Sequence, residues 1–357
     1  MREIADGLVA WRASGVGYAV ATVVRTWRSA PRQPGATMAV SADGEVLGSV
    51  SGGCVEGAVY ELCRESIETG KTRTETYGVS DDDAVGVGLT CGGTLEVLVQ
   101  PDVALTEADE VLAAIRQGRP VATASTGDGQ LVLWPDRTAG SLGDPGLDRA
   151  VAQQAAGMRA LGATGLVHLG THGEQRRDEV AVFVQSYLPP PRMIVFGAID
   201  YAAAVARIGR FLGYHVTVCD ARPVFATRKR FPDADEIVVQ WPHRYLASTV
   251  VDSRTVLCVL THDPKFDVPL LEVALRTPAR YIGAMGSRRT HTDRLRRLRE
   301  AGVAEAALAR LCSPIGLDLG ARTPEETAVA IAAEIIARAG DGSGRPLTEL
   351  DTPIHRH

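Results

Sequence analysis

The stretch Met193–Ala202, MIVFGAIDYA, decides the fold of the C-terminal part of this 357-residue chain. A short run of apolar residues is followed by Gly197 and then by a helical pattern. This order is typical of the strand–turn–helix that opens a dinucleotide-binding domain, where the glycine permits the tight turn. Asp220 follows the next predicted strand, 23 residues after Gly197, where an acid holds a ribose hydroxyl in such domains.

The rest of residues 192–340 continues this alternation. Short β-branched runs separated by helical segments indicate a parallel sheet with helices on both faces. The predicted strands are 192–196, 215–219, 236–239, 255–260 and 279–282, and the predicted helices are 200–212, 243–249, 266–277, 287–301 and 324–339. Thr323, Pro324 and Glu326 form a capping box with proline at the first helical position, which marks the start of the last helix. We therefore expect an α/β fold with a Rossmann-like, doubly wound parallel sheet in this region.

The glycine fingerprint of this domain is incomplete. Ile199 occupies the second glycine position and Ala202 the third. The second glycine lets backbone amides approach a pyrophosphate, so an isoleucine side chain should block that approach. Two interpretations stay open: a scaffold that no longer binds a nucleotide at its first turn, or a site for a modified or displaced nucleotide.

A second anion site is predicted in the loop Gly283–Arg289, at the end of a strand and the start of a helix. Free amides and the helix dipole favour a phosphate there, and the candidate residues are Gly286, Ser287 and Arg288. The alternative is a tight turn in which Ser287 caps the helix. We interpret the arginines beyond Arg289 as a solvated face. In the Thr261–Asp263 loop, we interpret His262 and Asp263 as a local hydrogen-bonded pair rather than a catalytic dyad.

The N-terminal region, 1–101, is predicted as an α+β domain with two glycine–cysteine loops. The first places Cys54 after Gly52 and Gly53 at the start of a helix over 55–69, and the second runs over Cys91, Gly92 and Gly93. A helix dipole and bare amides favour a thiolate, which can act as nucleophile, sulfur carrier or soft metal ligand. No histidine occurs in the first 167 residues, so acyl transfer is poorly supported within that domain.

Composition limits the remaining choices. The chain is 45% hydrophobic with a net charge of −5, which is ordinary for a globular protein and gives no sign of a nucleic-acid or membrane partner. The first 15 residues resemble an amphipathic helix rather than a signal peptide. The absence of any C-x-x-C pair argues against a disulfide framework or structural zinc, so a reducing cytoplasm is the expected setting. The other four cysteines are expected to be buried: Cys63, Cys219, Cys258 and Cys312.

The middle segment, 102–191, is predicted to be β-rich with one helix over 107–117, and it ends at the stiff run Pro189–Pro191. Residues 341–357 are expected to form a flexible tail. Arg32 lies on a proline- and glycine-rich loop, where it is either a fixed anion ligand or a solvated surface arginine. Asp81–Asp83 is most simply a solvated acidic turn.

Five motifs together resemble the XdhC/CoxI family of accessory proteins for xanthine dehydrogenase and carbon monoxide dehydrogenase maturation. They are residues 30–35 (APRQPG), 51–56 (SGGCVE), 91–93 (CGG), 283–288 (GAMGSR) and 314–320 (PIGLDLG). The resemblance implies a chaperone for the molybdenum cofactor, either molybdopterin or its cytosine dinucleotide form. Such a protein holds the cofactor while a cysteine desulfurase supplies the sulfido ligand, and then passes it to an apo-molybdoenzyme of the xanthine dehydrogenase family.

Carried over to this chain, the resemblance makes Cys54 and Cys91 candidates for contact with the molybdenum or its sulfur. It makes the Rossmann crevice the place for the cofactor's phosphate or nucleotide end. Ile199 departs from the glycine that family members commonly keep.

The expected function is therefore a non-catalytic cofactor chaperone, with no catalytic residue assigned. Two alternatives stay open. The first is an NAD(P)-dependent oxidoreductase, in which the pyrophosphate of the cofactor must approach the backbone at Gly197. The second is a protein-binding scaffold that holds no ligand. The sequence does not decide whether two copies of the chain associate.

Overall fold

The computed structural model describes residues 1–27, 32–78, 93–127, 129–261 and 263–351. The chain divides into two compact units, one built from Met1–Pro189 and the other from Pro190–Leu350. The N-terminal region and the middle segment up to Pro189 thus fall within the first unit. Within the described ranges, every helix is too short or too polar to cross a membrane.

The first unit contains two five-stranded antiparallel sheets, ordered β3-β2-β1-β5-β4 and β8-β7-β6-β10-β9. Its elements are α1 Ala5–Ala13, β1 Tyr18–Trp27, β2 Thr37–Ser41, β3 Val46–Gly48, α2 Glu56–Thr69, β4 Arg73–Tyr77, β5 Thr94–Pro101, α3 Ala108–Arg116, β6 Val121–Ser125, β7 Gln130–Leu133, β8 Thr138–Ser141, α4 Pro145–Leu161, β9 Gly165–Leu169 and β10 Val180–Tyr187.

Helix α2 covers one face of the first sheet. Its buried residues Val59 and Cys63 pack with Ala21 and Val97 of the two central strands in one apolar core. Alternate strand residues supply this core because side chains in a strand point to opposite faces in turn. The packing positions the loop that precedes α2, which carries Cys54.

The second unit contains one six-stranded parallel sheet, ordered β13-β12-β11-β14-β15-β16. Its elements are β11 Arg192–Phe196, α5 Asp200–Phe211, β12 His215–Asp220, β13 Glu236–Val239, α6 Pro242–Ser248, β14 Val256–Val259, α7 Pro264–Ala274, β15 Tyr281–Ala284, α8 Arg288–Glu300, α9 Glu305–Leu308, β16 Leu311–Cys312 and α10 Pro324–Ala339. This is the strand order of dinucleotide-binding domains, with the first strand in the centre.

Strand β11 shows why the sheet is covered on both faces. Its residues Met193 and Val195 join one core with α5 and α10, whereas Ile194 and Phe196 join a second core with α6, α7 and α8. Four consecutive apolar residues are therefore buried on two opposite sides. The expectation of a Rossmann-like α/β domain is confirmed.

The capping box that opens α10 is also confirmed. Thr323 Oγ1 accepts a hydrogen bond from the Glu326 amide at 3.1 Å, while the Glu326 carboxylate accepts from the Thr323 amide at 3.1 Å. Pro324 lies at the first helical position.

Several elements were not predicted. Helix α4 has clear start signals, since Asp144 caps it through the amides of Gly146 and Leu147 and Pro145 follows the cap. Its alanine- and glycine-rich body has only a weak apolar stripe, and that obscured it. Strand β4 has exposed central residues, and β8, α9 and β16 have at most four residues each, so their sequence patterns are weak.

Candidate functional site

A cleft of about 430 Å³ opens at the carboxyl edge of the parallel sheet in the second unit. The central strand β11 lies here between β12 and β14, which are its neighbours on opposite sides. Connections that leave neighbouring strands in opposite directions create a crevice at this edge, and ligands of open α/β sheets bind there. The lining residues follow four strands, and they are Ile199, Asp220, Ala221, Arg222, Trp241, Pro242, Thr261, Asp263, Lys265 and Phe266.

The first turn needs glycine at Gly197. Its φ is +107°, and a Cβ there would lie 3.0 Å from both the amide nitrogen and Cγ2 of Thr261. The next residue, Ala198, donates its amide to Asp220 Oδ2 at 2.7 Å. Ile199 lines the cleft at the place of the missing glycine. An apolar side chain therefore stands where a pyrophosphate would approach the backbone.

Asp220 is buried, at 3% exposed, and both of its oxygens are engaged within the protein. Oδ1 accepts from the Arg222 amide at 2.9 Å and from Arg222 Nε at 3.0 Å, and Oδ2 also accepts from Arg222 Nη2 at 2.9 Å. Burial alone would raise the pKa of Asp220, but these bonds and the Ala198 amide lower it below its ordinary value. The acid that was expected to hold a ribose hydroxyl therefore holds Arg222.

Arg222 is the charged group that this pair presents to the cleft. Its side chain is 46% exposed, and the ion pair with Asp220 uses Nε and Nη2 but not Nη1. The guanidinium carbon lies 4.5 Å from the ring centroid of Phe225, so the group is held from a second side. A guanidinium fixed in this way suits recognition of a phosphate or a ring carbonyl.

Two aromatic rings form a wall of the same cleft. The centroids of Trp241 and Phe266 are 5.1 Å apart with an interplanar angle of 39°. Lys265 Nζ lies 5.0 Å from the Phe266 centroid and 3.0 Å from Asp263 Oδ2. Sequence reasoning missed Arg222, Trp241, Lys265 and Phe266. An available signal was their position between a predicted strand and the first residue of the next helix, at the ligand-binding edge of the sheet.

The donor set of the cleft fits a planar heterocycle better than a bare polyanion. Each of the two cations lining the cleft is already paired with a carboxylate, Arg222 with Asp220 and Lys265 with Asp263. The volume falls within the range of small-molecule pockets, which combine apolar walls with a few polar groups. A pterin or nucleobase has flat faces for the aromatic wall and a polar edge for the guanidinium.

The loop at Gly286–Arg288 is capped as the alternative interpretation predicted. Ser287 Oγ accepts from the Thr290 amide at 3.1 Å and lies 2.9 Å from the Thr290 hydroxyl, and Ser287 is the N-cap residue of α8. Gly286, Ser287 and Arg288 follow β15, and none of the three lines the described cleft.

Arg294 contradicts the expectation that arginines beyond Arg289 form a solvated face. It is 3% exposed and donates to Asp267 Oδ2 at 2.8 Å, to the Met285 carbonyl at 2.7 Å and to Ser313 Oγ at 2.9 Å. Its position four residues before buried Leu298 places it on the inward face of α8. The expectation holds for Arg296, Arg297 and Arg299, which pair with exposed acids.

Asp267 completes this network, because it also accepts a hydrogen bond from the Thr261 hydroxyl. The buried pair therefore connects the chain after β14 at Thr261, after β15 at Met285 and after β16 at Ser313. It fixes the edge of the sheet beside the cleft.

In the first unit, Glu56 organises the loop that carries Cys54. Its carboxylate accepts from the Ser49 hydroxyl at 2.6 Å and from the amides of Gly52 at 2.9 Å and Gly53 at 2.8 Å. Positive φ at both glycines lets these amides converge on one carboxylate. Burial opposes its ionisation, but hydrogen bonds from Ser49 and Ser51 outweigh that and lower the pKa of Glu56 to about 2.

The amides around Cys54 are consequently not bare. The Cys54 and Val55 amides donate to Ser51 Oγ at 3.0 and 3.1 Å. Cys54 is half-buried and precedes the helix, which begins at Glu56. The expectation of bare amides and a position in the first helical turn is therefore wrong.

Other predicted positions have simpler outcomes. Arg32 pairs with Glu3 at 3.2 Å, which is a surface ion pair. Cys91, Gly92, Asp81–Asp83 and His262 lie outside the described residues. No group of three or more His, Cys, Asp or Glu side chains in the described ranges could hold a metal ion.

The four other cysteines are buried as predicted. Burial raises the pKa of the Cys63, Cys219 and Cys258 thiols to about 12 and that of Cys312 to about 11. Buried thiols of this kind behave as small apolar side chains.

Comparison with known proteins gives matches over both units. Residues 193–335 match the XdhC Rossmann domain, and residues 11–78 match the XdhC and CoxI family. The chain is 28% identical over 331 residues to a probable xanthine dehydrogenase subunit of Bacillus subtilis (strain 168), covering 89% of this chain and 92% of that protein. It is 27% identical over 323 residues to the molybdenum cofactor insertion chaperone PaoD of Escherichia coli (strain K12), covering 90% and 83% respectively.

A solved structure is similar over nearly the whole chain. The crystal structure of a xanthine dehydrogenase from Bacillus halodurans aligns with a TM-score of 0.72 and 25% identity, covering 97% of this chain and 98% of that one. The likeness therefore extends over the elements of both units.

The hydrogen bonds that Glu56 accepts from the loop before α2 yield a prediction about local stability. In Glu56→Gln, the charge that gathers the loop amides is lost, so opening of residues 51–55 becomes easier by about 1–2 kcal/mol after allowance for partial exposure. Because the folded pKa lies below the ordinary value of 4.5, this stabilisation is present above pH 4.5 and is lost as the pH falls towards 2. Amide hydrogen exchange of Gly52 and Gly53 measures the effect. Glu61→Gln, on the exposed face of the same helix, is the control, and equal exchange in both variants would contradict the role of Glu56.

The buried Arg294–Asp267 pair yields a second prediction. Arg294→Met leaves Asp267 buried without its cationic partner, so the free energy of unfolding should fall by about 3–5 kcal/mol. Arg296→Met removes only exposed pairs and should change it by less than about 1 kcal/mol. Urea unfolding monitored in the second unit measures both. A loss in Arg294→Met no larger than that in Arg296→Met would show that the pair does not hold this edge.

Proposed function

Because the chain belongs to the XdhC and CoxI family, we propose that it binds the molybdenum cofactor in the cleft of the second unit. It acts in the cytoplasm, where it assists sulfuration of the cofactor. It then assists insertion of the cofactor into an apo-molybdoenzyme of the xanthine dehydrogenase or carbon monoxide dehydrogenase type. The family match rests on both units. The relative named as a molybdenum cofactor insertion chaperone supports the chaperone role.

The observation that carries this proposal is the composition of the cleft. Trp241 and Phe266 supply flat apolar surface, and Arg222 supplies an oriented guanidinium beside it. The molybdenum cofactor combines a pterin ring with a phosphate and supplies the redox-active metal centre of the client enzyme. The cleft residues hold and orient the organic part and exclude water from one face of the ring.

The contacts of this proposal fall into two sets. In the second unit, Gly197 and Asp220 shape the cleft, and Gly286, Ser287 and Arg288, which lie outside its lining, are candidates for contact with the anionic end. In the first unit, the family motifs make Cys54 and Cys91 candidates for contact with the molybdenum or its sulfur, and Arg32, Gly52, Gly53 and Gly92 candidates for contact with the cofactor. The second set rests on the motifs that this chain shares with its family. The proposed partners are the apo-enzyme and a cysteine desulfurase.

One observation also favours a competing ligand. An arginine after the second strand accommodates the 2′-phosphate of NADP in related domains, and Arg222 lies at that place. Ile199, however, stands where the pyrophosphate of NADP would approach the backbone. NADPH is therefore included in the binding test as the alternative ligand.

The test is an anaerobic titration of the purified protein with molybdenum cofactor released from a molybdoenzyme. We expect saturable binding at one cofactor per chain, and Arg222→Gln should weaken it by about 10-fold or more because a charge-assisted contact is lost. Arg207→Gln removes an exposed arginine of the same unit that pairs with Asp233 and should leave the affinity unchanged. Stoichiometric binding of NADPH with no binding of the cofactor would overturn the proposal in favour of an oxidoreductase.

The cysteines are tested separately from the cleft. Cys54→Ala and Cys91→Ala should each reduce the recovery of sulfurated, active client enzyme in a reconstitution with a cysteine desulfurase. Cys63→Ala removes a buried thiol of the same unit and should not reduce it. Full recovery in both test variants would remove the cysteines from the proposed site.

A further inference from the structure

We infer that the cleft takes the ring end of its ligand, with a planar nitrogen heterocycle stacked on the indole of Trp241. This inference rests on the proposed function and specifies which part of the cofactor enters the cleft. The shared chemistry is that of a flat heteroaromatic ring with amide-like edges, which belongs both to the pterin and to the cytosine base of the dinucleotide form.

Trp241 presents an exposed ring inside the cleft. Its side chain is 42% exposed although tryptophan carries a large apolar surface. The chain has four tryptophans, and Trp11 and Trp134 are both buried at 7% exposed. An exposed indole inside a cleft therefore offers a surface that a flat ligand can cover.

Trp241 has an anchored backbone and two ring neighbours. Trp241 is the N-cap residue of α6, and its carbonyl accepts from the Arg244 and Tyr245 amides, each at 3.0 Å. The ring contacts Phe266 at 5.1 Å and His243 at 6.0 Å between centroids. Ring neighbours restrict the positions of the indole, and such restriction lowers the entropy cost of binding a stacking partner.

Polar groups line the same cleft as the exposed indole. Arg222 and Lys265 line the same cleft as Trp241, so donors stand beside the stacking surface. Asp220, which would bind a ribose in a dinucleotide enzyme, is already engaged by Arg222 and Ala198. Ile199 stands where a pyrophosphate would approach the first turn. These groups favour the ring over the sugar-phosphate part of the ligand.

The experiment compares Trp241→Ala and Trp241→Phe with Trp27→Phe, using three probes: molybdenum cofactor, pterin-6-carboxylate and cytidine 5′-monophosphate. Trp27 is a matched control because it is 39% exposed and lies in the first unit. Stacking on a single aromatic side chain predicts a loss of affinity of about 5- to 150-fold in Trp241→Ala, and a smaller loss in Trp241→Phe, which keeps a ring. Trp27→Phe should bind as the wild type does.

Fluorescence gives a readout that a merely structural role of Trp241 would not produce. A stacked ring should quench the emission of Trp241, and this quenching should disappear in Trp241→Phe and persist in Trp27→Phe. Quenching by the pterin probe alone identifies the pterin as the ring in the cleft, whereas quenching by cytidine 5′-monophosphate alone identifies the base. Either result supports the inference.

Cofactor binding that is equally tight in wild type and Trp241→Ala overturns the inference and leaves the proposed function intact. Failure of the wild-type protein to bind the cofactor overturns the proposed function itself. Circular dichroism and thermal unfolding of Trp241→Ala, whose side chain is partly exposed, confirm that a loss of binding does not reflect unfolding.

Discussion

The buried carboxylate of Asp220 is the interaction on which the cleft depends. It lies at the end of β12 and accepts hydrogen bonds from the Ala198 amide in the neighbouring turn and from Arg222. One side chain therefore sets both the path of the chain after Gly197 and the direction of the guanidinium. Removing this acceptor would leave the buried Ala198 amide unsatisfied and release the guanidinium of Arg222, so an exchange of this carboxylate should alter the cleft.

In the first unit, too, a carboxylate accepts hydrogen bonds from a glycine-containing turn, although the fold is different. Glu56 gathers the amides of Gly52 and Gly53, as Asp220 gathers the donors around the Gly197 turn. Glycine-rich turns at helix starts are usually regarded as sites where amides await an anion. In this chain Glu56 takes that place before α2, and Asp220 takes up the Ala198 amide of the Gly197 turn, so the cleft groups that we propose meet the ligand are side chains.

The sequence predicted the second unit well because its signals are local. Each strand is a short apolar run, and Thr323 with Glu326 marks a helix start within four residues. The inward position of Arg294 could have been inferred from its spacing to Leu298, but its partner Asp267 is 27 residues away, and no local pattern identifies such a pairing. The hydrogen bonds of Glu56 were not predicted, because an acidic side chain at a helix start was not considered as an acceptor for the amides of the loop before it.

Trp241 illustrates that the fold determines the position of the crevice but not the residues that line it. The strand order is that of dinucleotide enzymes, and it determines that the residues after β12, β13 and β14 face one crevice. It does not determine which residues stand there. With Ile199 at the glycine position, Asp220 engaged by Arg222 and an exposed indole opposite, the crevice keeps its location but changes its chemistry. The proposed stacking on Trp241 would exchange pyrophosphate recognition for ring recognition through a few loop residues, without requiring a change in the cores on either face of the sheet.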